Sequence, residues 1–233
     1  MKSIFLAGAS GAVGLPLAKL LVSTGDYAVF GTTRNPATAQ RLREIGVTPV
    51  LVDVYDPSRL KSELQSVKPD IVIHQLTDLP YGLPKDRMPA AQIRNSRIRA
   101  EGTRNLIEAI RPIELERFLV QSIAFMYAEG PLPHTEAEPN GTEPLREFEN
   151  MPLDYSPNTR IMRYGRFYGP GTGVDKLELP CRVHVEAAAQ ACYLLLSEGT
   201  GRIYNVCEDS DYASNSRIMA ETSWNPDFRM DPP

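Results

Sequence analysis

Three glycines near the start of the chain have the spacing that binding of a dinucleotide pyrophosphate needs. Gly8, Gly11 and Gly14 follow a short apolar run at residues 4–7, and a leucine-rich amphipathic stretch comes after them. In such a turn one glycine allows the bend after a strand, one lets the backbone approach the phosphates, and one lets the next helix pack closely. The N–H groups at the start of that helix favour an anion. The predicted cofactor-binding residues of the turn are Gly8, Ser10, Gly11, Ala12, Val13 and Gly14.

The end of the second predicted strand indicates which dinucleotide suits the site. A NAD-selective site usually places Asp or Glu there, where the carboxylate binds the ribose 2′-hydroxyl. This chain has Thr33 and Arg34 instead. Because a guanidinium binds a 2′-phosphate through paired hydrogen bonds, the pattern predicts NADP, with NAD still compatible. The alternative is that Arg34 is an ordinary solvated arginine.

Further polar residues follow other predicted strands. Asp53 and Val54 come after the third strand, where they would meet the adenine edge, although Asp53 is equally suited to capping the next turn. Ser122 ends the fifth strand, at the carboxyl edge where ligands of open α/β sheets bind. It is a candidate for substrate contact, against the alternative of a serine that simply ends the strand.

The elements that must position these residues alternate regularly through the first half of the chain. Strands joined by helical crossovers imply a parallel sheet with right-handed connections. The predicted fold is therefore α/β, a Rossmann-type doubly wound parallel sheet with a reduced C-terminal substrate region. The predicted strands are residues 4–7, 27–32, 47–52, 70–74 and 118–122, and the predicted helices between them include 36–45, 57–67 and 90–110.

Changes in proline content and in the periodicity of apolar residues divide the chain into three segments. Residues 1–127 form the predicted nucleotide-binding core, and residues 128–159 are rich in proline and predict a loop region. Residues 160–233 supply the remaining strands, a helix and the reduced substrate-binding region. On the long helix at 90–110, the alternation of basic and acidic residues predicts a solvated face with pairing at i,i+3 and i,i+4. Those basic residues are Arg94, Arg97, Arg99 and Arg104.

The composition indicates which classes of partner the protein is not expected to bind. The 233 residues carry a formal net charge of −4, which gives no general attraction to nucleic acid. No apolar run reaches the roughly 18 residues that a membrane-spanning helix needs. Cys181, Cys192 and Cys207 lack metal-binding spacing and are typical of small buried residues in a reducing compartment, so a cytoplasmic location without a metal site is expected.

Several segments, in the right order along the chain, resemble the extended short-chain dehydrogenase/reductase superfamily in its NAD-dependent epimerase/dehydratase branch. The N-terminal segment fits the family's cofactor turn, and FLVQSIAFMYAEG resembles its fifth strand and serine-bearing loop. The resemblance spans nearly the whole sequence. The matching segments are GASGAVG at 8–14, EGTRNLIEA at 101–109, FLVQSIAFMYAEG at 118–130, RYGRFYGPGT at 163–172, VHVEAAAQACYLLL at 183–196 and RIYNVCED at 202–209.

The resemblance implies roles for further residues. Ser122 would hydrogen-bond a substrate oxygen, and Tyr127 in the same loop is the candidate acid or pocket residue, with packing as its alternative role. The segment after the fourth strand lies where the family contacts the adenosine ribose, and the Tyr-Gly-Pro turn lies close to its nicotinamide. The cofactor residues implied in this way are His74, Gln75, Leu76 and Tyr168.

The chain departs from the family at the catalytic pair. Family members use a tyrosine and a lysine four residues apart on one helix, in which the ammonium lowers the pKa of the phenol that transfers a proton. Hydride moves between the substrate carbon and C4 of the nicotinamide. After the serine-bearing loop, Tyr155 is instead followed by Thr159, with Pro157 between them. The proline-rich stretch leaves no clear room for a catalytic helix.

Two functions are compatible with this sequence. One is an NAD(P)-dependent oxidoreductase or epimerase/dehydratase-like enzyme that acts on a small carbonyl or sugar-nucleotide-like substrate, with Ser122 and Tyr127 as catalytic residues. The other is a non-catalytic NADP-binding sensor or scaffold. A small-molecule substrate is the expected partner, neither nucleic acid nor a membrane is expected, and a homodimer is implied by the resemblance alone.

Overall fold

A computed structural model describes residues 1–230, and within them one parallel sheet organises the chain. The strands are β1 (Lys2–Ala7), β2 (Tyr27–Thr33), β3 (Thr48–Leu51), β4 (Ile71–His74), β5 (Arg117–Ile123), β6 (Thr159–Tyr164), β7 (Arg166–Tyr168), β8 (Arg182–His184) and β9 (Ile203–Val206). Seven of them pair in the order β3-β2-β1-β4-β5-β6-β9, and β7 pairs with β8 separately. The order reverses at β1, so the predicted Rossmann-type doubly wound parallel sheet is confirmed.

Helices cover both faces of the sheet. They are α1 (Gly14–Ser23), α2 (Pro36–Glu44), α3 (Pro57–Val67), α4 (Met88–Arg97), α5 (Thr103–Ile110), α6 (Glu143–Tyr155), α7 (Val185–Leu194) and α8 (Ser216–Glu221). Since both faces are covered, successive residues of the central strands are apolar and fully buried, as Ile4, Phe5 and Leu6 are. Between residues 1 and 230, no helix combines the length and apolar character needed to cross a membrane.

Side-chain caps fix where two of the helices begin. Asn35 Oδ1 accepts a hydrogen bond from the Ala37 N–H at 2.9 Å and starts α2. Asp56 Oδ1 accepts one from the Arg59 N–H at 3.0 Å and starts α3. A proline follows each cap at the start of the helix, where its missing N–H costs no intrahelical bond. Local chemistry thus sets the boundaries that the sequence predicts for these helices.

The expectation of a loop throughout residues 128–159 is wrong for its second half, which forms α6. Pro144 lies in the first turn, where proline is tolerated, so it does not prevent the helix. Leu145, Phe148 and Pro152 recur at helical spacing and are buried against the sheet. The division of the chain into three segments remains a prediction, and residues 231–233 of the last segment lie outside the described residues.

The long helix predicted at residues 90–110 is interrupted. A π-helical turn, Ile98–Gly102, separates α4 from α5. Beside it, α5 is joined to β4 by a buried hydrogen bond between His74 Nε2 and Thr103 Oγ1 at 2.8 Å. His74 Nδ1 accepts the Leu76 N–H at 3.2 Å, so the neutral ring carries its proton on Nε2 and donates to Thr103. The π-helical turn and the hydrogen bond between His74 and Thr103 together position α5 against the sheet.

The burial of His74 makes stability depend on pH. Burial lowers the pKa of His74 from 6.5 to about 4. Between these values the unfolded chain binds more protons than the folded one, so the free energy of unfolding falls as the pH drops through this window. Between pH 7 and pH 4.5, the wild-type protein should lose roughly 2 kcal/mol more stability than His74→Gln, whose amide keeps a donor for Thr103. Urea unfolding at both pH values measures the difference, and equal losses would contradict it.

Candidate functional site

The carboxyl ends of the central strands open into a cleft of about 730 Å³, a volume that includes the open solvent at its mouth. It runs from the turn after β1, past the ends of β2 and β3, to the segment after β4. Ligands of open parallel sheets bind at such a position, where the strand order reverses. Predicted cofactor residues that line this cleft are Gly8, Ser10, Gly11, Thr33, Arg34, Asp53, Val54, Gln75 and Leu76.

Backbone geometry explains the glycine turn. Gly8 has a φ of +91°, which residues with a Cβ rarely adopt, and its carbonyl accepts the Gly11 N–H at 3.0 Å. A Cβ at Gly14 would lie 2.0 Å from the Gly8 carbonyl oxygen, so only glycine lets α1 come this close. No described side chain caps the start of α1, which leaves its first N–H groups able to bind an anion.

Two other predicted cofactor residues do not line the cleft and are buried instead. Val13 is buried in the core, and the His74 ring is enclosed against α5. Asp53 lines the cleft, and its Oδ1 accepts the Tyr55 N–H at 3.0 Å, which is the turn-capping role; its contact with adenine stays a prediction. Tyr168 lies farther along the sheet edge, where its hydroxyl donates to Glu208 Oε1 at 2.5 Å.

A loop after β4 lies beside the start of the cleft. The turn that follows Tyr168 lies against the glycine turn. A Cβ added to Gly171 would be 3.6 Å from Ala12 Cα. The Gly82 N–H donates to the Thr172 carbonyl at 2.9 Å and joins the loop after β4 to this turn. The two loops therefore form a strap beside the position that the glycine turn offers to a pyrophosphate.

The carboxyl ends of β5 and β6, where the sequence predicts substrate contact and which we call the substrate end, hold a buried ion pair. Arg163 on β6 donates from Nη2 to Glu149 Oε2 on α6 at 2.7 Å, and both side chains are about 4% exposed or less. Ser122 Oγ donates to Glu149 Oε1 at 2.5 Å, and Asn140 Nδ2 donates to the same oxygen. The structure thus places Ser122 at the predicted strand end, with its hydroxyl hydrogen directed into the protein.

Tyr127 belongs to the same network. Its hydroxyl donates to Asn205 Oδ1 at 2.7 Å and accepts from Arg163 Nη1 at 2.9 Å. Burial raises the pKa of Tyr127 to about 12, so the phenol stays protonated at neutral pH. The two residues predicted as catalytic are therefore connected through Arg163 and Glu149, which sequence reasoning did not single out. One feature of the sequence could have pointed to Arg163, because it is the first residue of the RYGRFYGPGT segment, which resembles the family.

The Tyr-x-x-x-Lys spacing is missing after β5, but it occurs once elsewhere, at Tyr81 and Lys85. These residues lie on the strap loop before α4, not on a helix. Tyr81 rests against the turn that follows Tyr168, with its Cε1 3.0 Å from the position of a Cβ on Gly173. The phenol is 75% exposed, so the loop does not hold it in a fixed, desolvated geometry. Within residues 1–230, no cluster of His, Cys, Asp and Glu is arranged to hold a metal ion.

Comparison with known proteins places these features in a family. A family model described as NAD(P)H-binding matches residues 8–150. A Streptomyces protein named 3-diazoavenalumate denitrifying reductase is 32% identical over 182 residues, covering 73% of this chain and 58% of that protein. A sterol-4-alpha-carboxylate 3-dehydrogenase (decarboxylating) from Dictyostelium discoideum is 36% identical over 74 residues, covering 32% and 22%. The chain matches less than two thirds of the length of these curated relatives.

Solved structures show the same fold at low identity. The UDP-glucuronic acid 4-epimerase of Bacillus cereus, in complex with UDP-glucuronic acid and NAD, gives a TM-score of 0.76 at 17% identity and covers 97% of this chain and 95% of its own. The UDP-glucose 4-epimerase of Thermus thermophilus, in complex with NAD, gives 0.73 at 20% identity, covering 98% and 95%. The matched family, the fold and the glycine-lined cleft agree. The chain belongs to the family described as NAD(P)H-binding, and it shares its fold with these epimerases.

Proposed function

We propose that this chain is an NADPH-dependent reductase that delivers hydride to a small electrophilic substrate. The observation that carries the proposal is the open cleft lined by the glycine turn, together with two arginines at its far end. One is Arg34, after β2, and the other is Arg59, in the first turn of α3. The cleft offers a nucleotide its phosphate and adenine contacts, and the arginines provide the charge that distinguishes NADPH from NADH.

The arginine end of the cleft suits a 2′-phosphate. A groove bordered by Arg34 and Arg59 is continuous with the cleft through Val52 and Asp53. Arg59 is about half exposed, and its Nε lies 3.7 Å from Glu63 Oε1, so only a loose ion pair restrains it. A phosphate between two guanidiniums would gain charge-assisted hydrogen bonds from both. NADPH is therefore the favoured cofactor.

The substrate end favours an acceptor that takes hydride without a proton from the protein. The α6 helix contains no lysine, and its single tyrosine, Tyr155, donates to the Ile110 carbonyl at 3.2 Å. Ser122 and Tyr127 donate to buried acceptors. Reduction of a carbonyl needs a proton donor, and epimerisation of a sugar needs a base for the hydroxyl proton. Neither requirement is met by a buried, positioned group at this end.

The name of the Streptomyces relative describes a reductase that removes nitrogen from a diazo compound. For this chain we propose the same class of acceptor, an arenediazonium group. Hydride from C4 of NADPH forms a carbon–hydrogen bond as the carbon–nitrogen bond breaks, and the bonding pair leaves with dinitrogen. The products are the arene, dinitrogen and NADP⁺, and no proton is consumed. The chemistry therefore matches a site without a tyrosine–lysine pair.

Replacing Arg34 tests the choice of cofactor. Arg34→Ala should weaken NADPH binding by about 10- to 100-fold, because a hydrogen bond to a charged group contributes roughly 1.5–3 kcal/mol, and should leave NADH binding unchanged. Arg59→Ala should act in the same direction with a smaller effect. Fluorescence titration of both nucleotides measures this, with the exposed Arg41→Ala on α2 as the matched control. Equal weakening of both nucleotides by Arg34→Ala would overturn the assignment.

Turnover tests the reaction itself. With 4-hydroxybenzenediazonium, NADPH oxidation should exceed the rate without protein, whereas 4-hydroxybenzaldehyde and UDP-glucose should give no turnover. Tyr81→Phe should not reduce the rate, since no proton is transferred. Aldehyde reduction that is lost in Tyr81→Phe would contradict the hydride-only reaction. Binding of NADPH without turnover of any of the three compounds would favour a sensor or scaffold.

The buried network predicts which changes act through stability. Glu149→Ala leaves Arg163 buried and unpaired and should cost about 3–5 kcal/mol in the free energy of unfolding. Ser122→Ala removes one donor and should cost about 1–3 kcal/mol. Glu147→Ala, on the exposed side of α6, is the matched control. Urea unfolding provides the measurement. A stable Ser122→Ala protein that binds NADPH but has no turnover would instead support the catalytic role that the sequence suggests.

A further inference from the structure

One arginine of the long helical segment departs from the solvated face that the sequence predicts. Arg97 pairs with Glu101 on that face, with Nε and Oε2 2.7 Å apart. Arg99 instead turns inward from the π-helical turn. Its guanidinium carbon lies 5.8 Å from the centroid of the Phe148 ring, which itself meets the His74 ring edge-on at 6.2 Å. The cation therefore lies between α6 and the carboxyl end of β4.

The position of Arg99 is beside the nucleotide cleft. Its neighbour Ile98 lines the cleft, and Gln75 and Leu76, directly after β4, line it as well. Arg99 follows Ile98 around the helix, on the side of Phe148 and α6. The guanidinium thus flanks the part of the sheet edge between the nucleotide cleft and Ser122. π-Helical turns of this kind are frequent at functional sites.

The guanidinium of Arg99 has no hydrogen-bond or ion-pair partner in the part of the chain that the structure describes. Two other inward-facing arginines, Arg160 and Arg163, are satisfied. Arg160 donates to the carbonyls of Leu195, Glu198 and Gly199. Arg163 donates to Glu149 and Tyr127. Arg99 is half-buried, and leaving a partly buried cation unpaired costs free energy, which an anionic ligand would offset.

The nearest acid does not neutralise Arg99. Glu149 accepts hydrogen bonds from Arg163, Ser122 and Asn140, so its negative charge is already balanced by Arg163. Burial lowers the pKa of Arg99, and the charge of Glu149 offsets this only in part. The half-buried guanidinium therefore keeps its positive charge beside the Phe148 ring.

We propose that Arg99 binds a carboxylate of the substrate, which makes the substrate class a small organic carboxylate. This inference rests on the proposed reductase function and deepens it. The planar guanidinium matches a carboxylate through two parallel N–H···O bonds, which would hold the substrate at the sheet edge beside the cofactor. Arg99 then acts in binding and orientation, and it transfers no proton.

Matched charged and neutral probes test this proposal in the full-length protein. Cinnamate and cinnamamide have nearly the same shape and differ in charge. Calorimetric titration should show that cinnamate binds more tightly than cinnamamide, both with saturating NADPH and without it. Arg99→Met should weaken cinnamate binding at least 10-fold and leave cinnamamide binding unchanged, and Arg99→Lys should recover part of the loss. Arg104→Met, exposed on α5, is the control and should change neither.

The outcomes separate this inference from the proposed function. Loss of NADPH binding with retained, Arg99-dependent cinnamate binding would contradict the reductase and keep the carboxylate site. Normal NADPH binding with no preference for cinnamate over cinnamamide would overturn the carboxylate site alone. Equal losses for both probes in Arg99→Met, or an equal loss in Arg104→Met, would also overturn it. Melting temperatures of the variants verify that each one is folded.

Discussion

The buried pair of Arg163 and Glu149 determines what the substrate end of this molecule can do. Two charges removed from water are tolerated only when every donor and acceptor around them is used. Ser122, Asn140 and Tyr127 supply those hydrogen bonds, and they fix β5, β6 and α6 to one another. The consequence is chemical as well as structural. The Ser122 and Tyr127 hydroxyls are committed to the network around this charge pair, which supports our proposal of hydride transfer without a proton from the protein.

A different physical constraint shapes the nucleotide end of the sheet. There the backbone rather than a side-chain network makes the site, because Gly8 and Gly14 allow a turn that no residue with a Cβ could form. The polar atoms left open are N–H groups at a helix start and the guanidiniums of Arg34 and Arg59, all suited to phosphate. The molecule therefore combines an open nucleotide cleft that favours anions with a closed polar core in which the ion pair of Arg163 and Glu149 is hydrogen-bonded by its neighbours. Arg99 lies where the two meet and remains unpaired within the described part of the chain.

Sequence reasoning succeeds where the determining interactions are local. The alternation of strands and helices, the caps at Asn35 and Asp56 and the glycine turn each depend on residues within a few positions of one another, and the sheet is as predicted. It fails at α6, where the prolines indicate a loop although apolar spacing at Leu145 and Phe148 favours a helix. Pairing of Ser122 with Glu149 joins residues 27 positions apart, and no local pattern reveals it. The inward turn of Arg99 likewise depends on a π-helical turn that helical periodicity does not anticipate.

In the proposed reaction, hydride passes directly from NADPH to a substrate carbon without a proton from the protein. Isotopic labelling tests it most directly. With NADPH deuterated at C4 and 4-hydroxybenzenediazonium in ordinary water, the phenol product should carry deuterium at the carbon that lost nitrogen. With unlabelled NADPH in D₂O, that carbon should carry hydrogen. Deuterium from the solvent at this carbon, or none from either face of the labelled cofactor, would contradict the account.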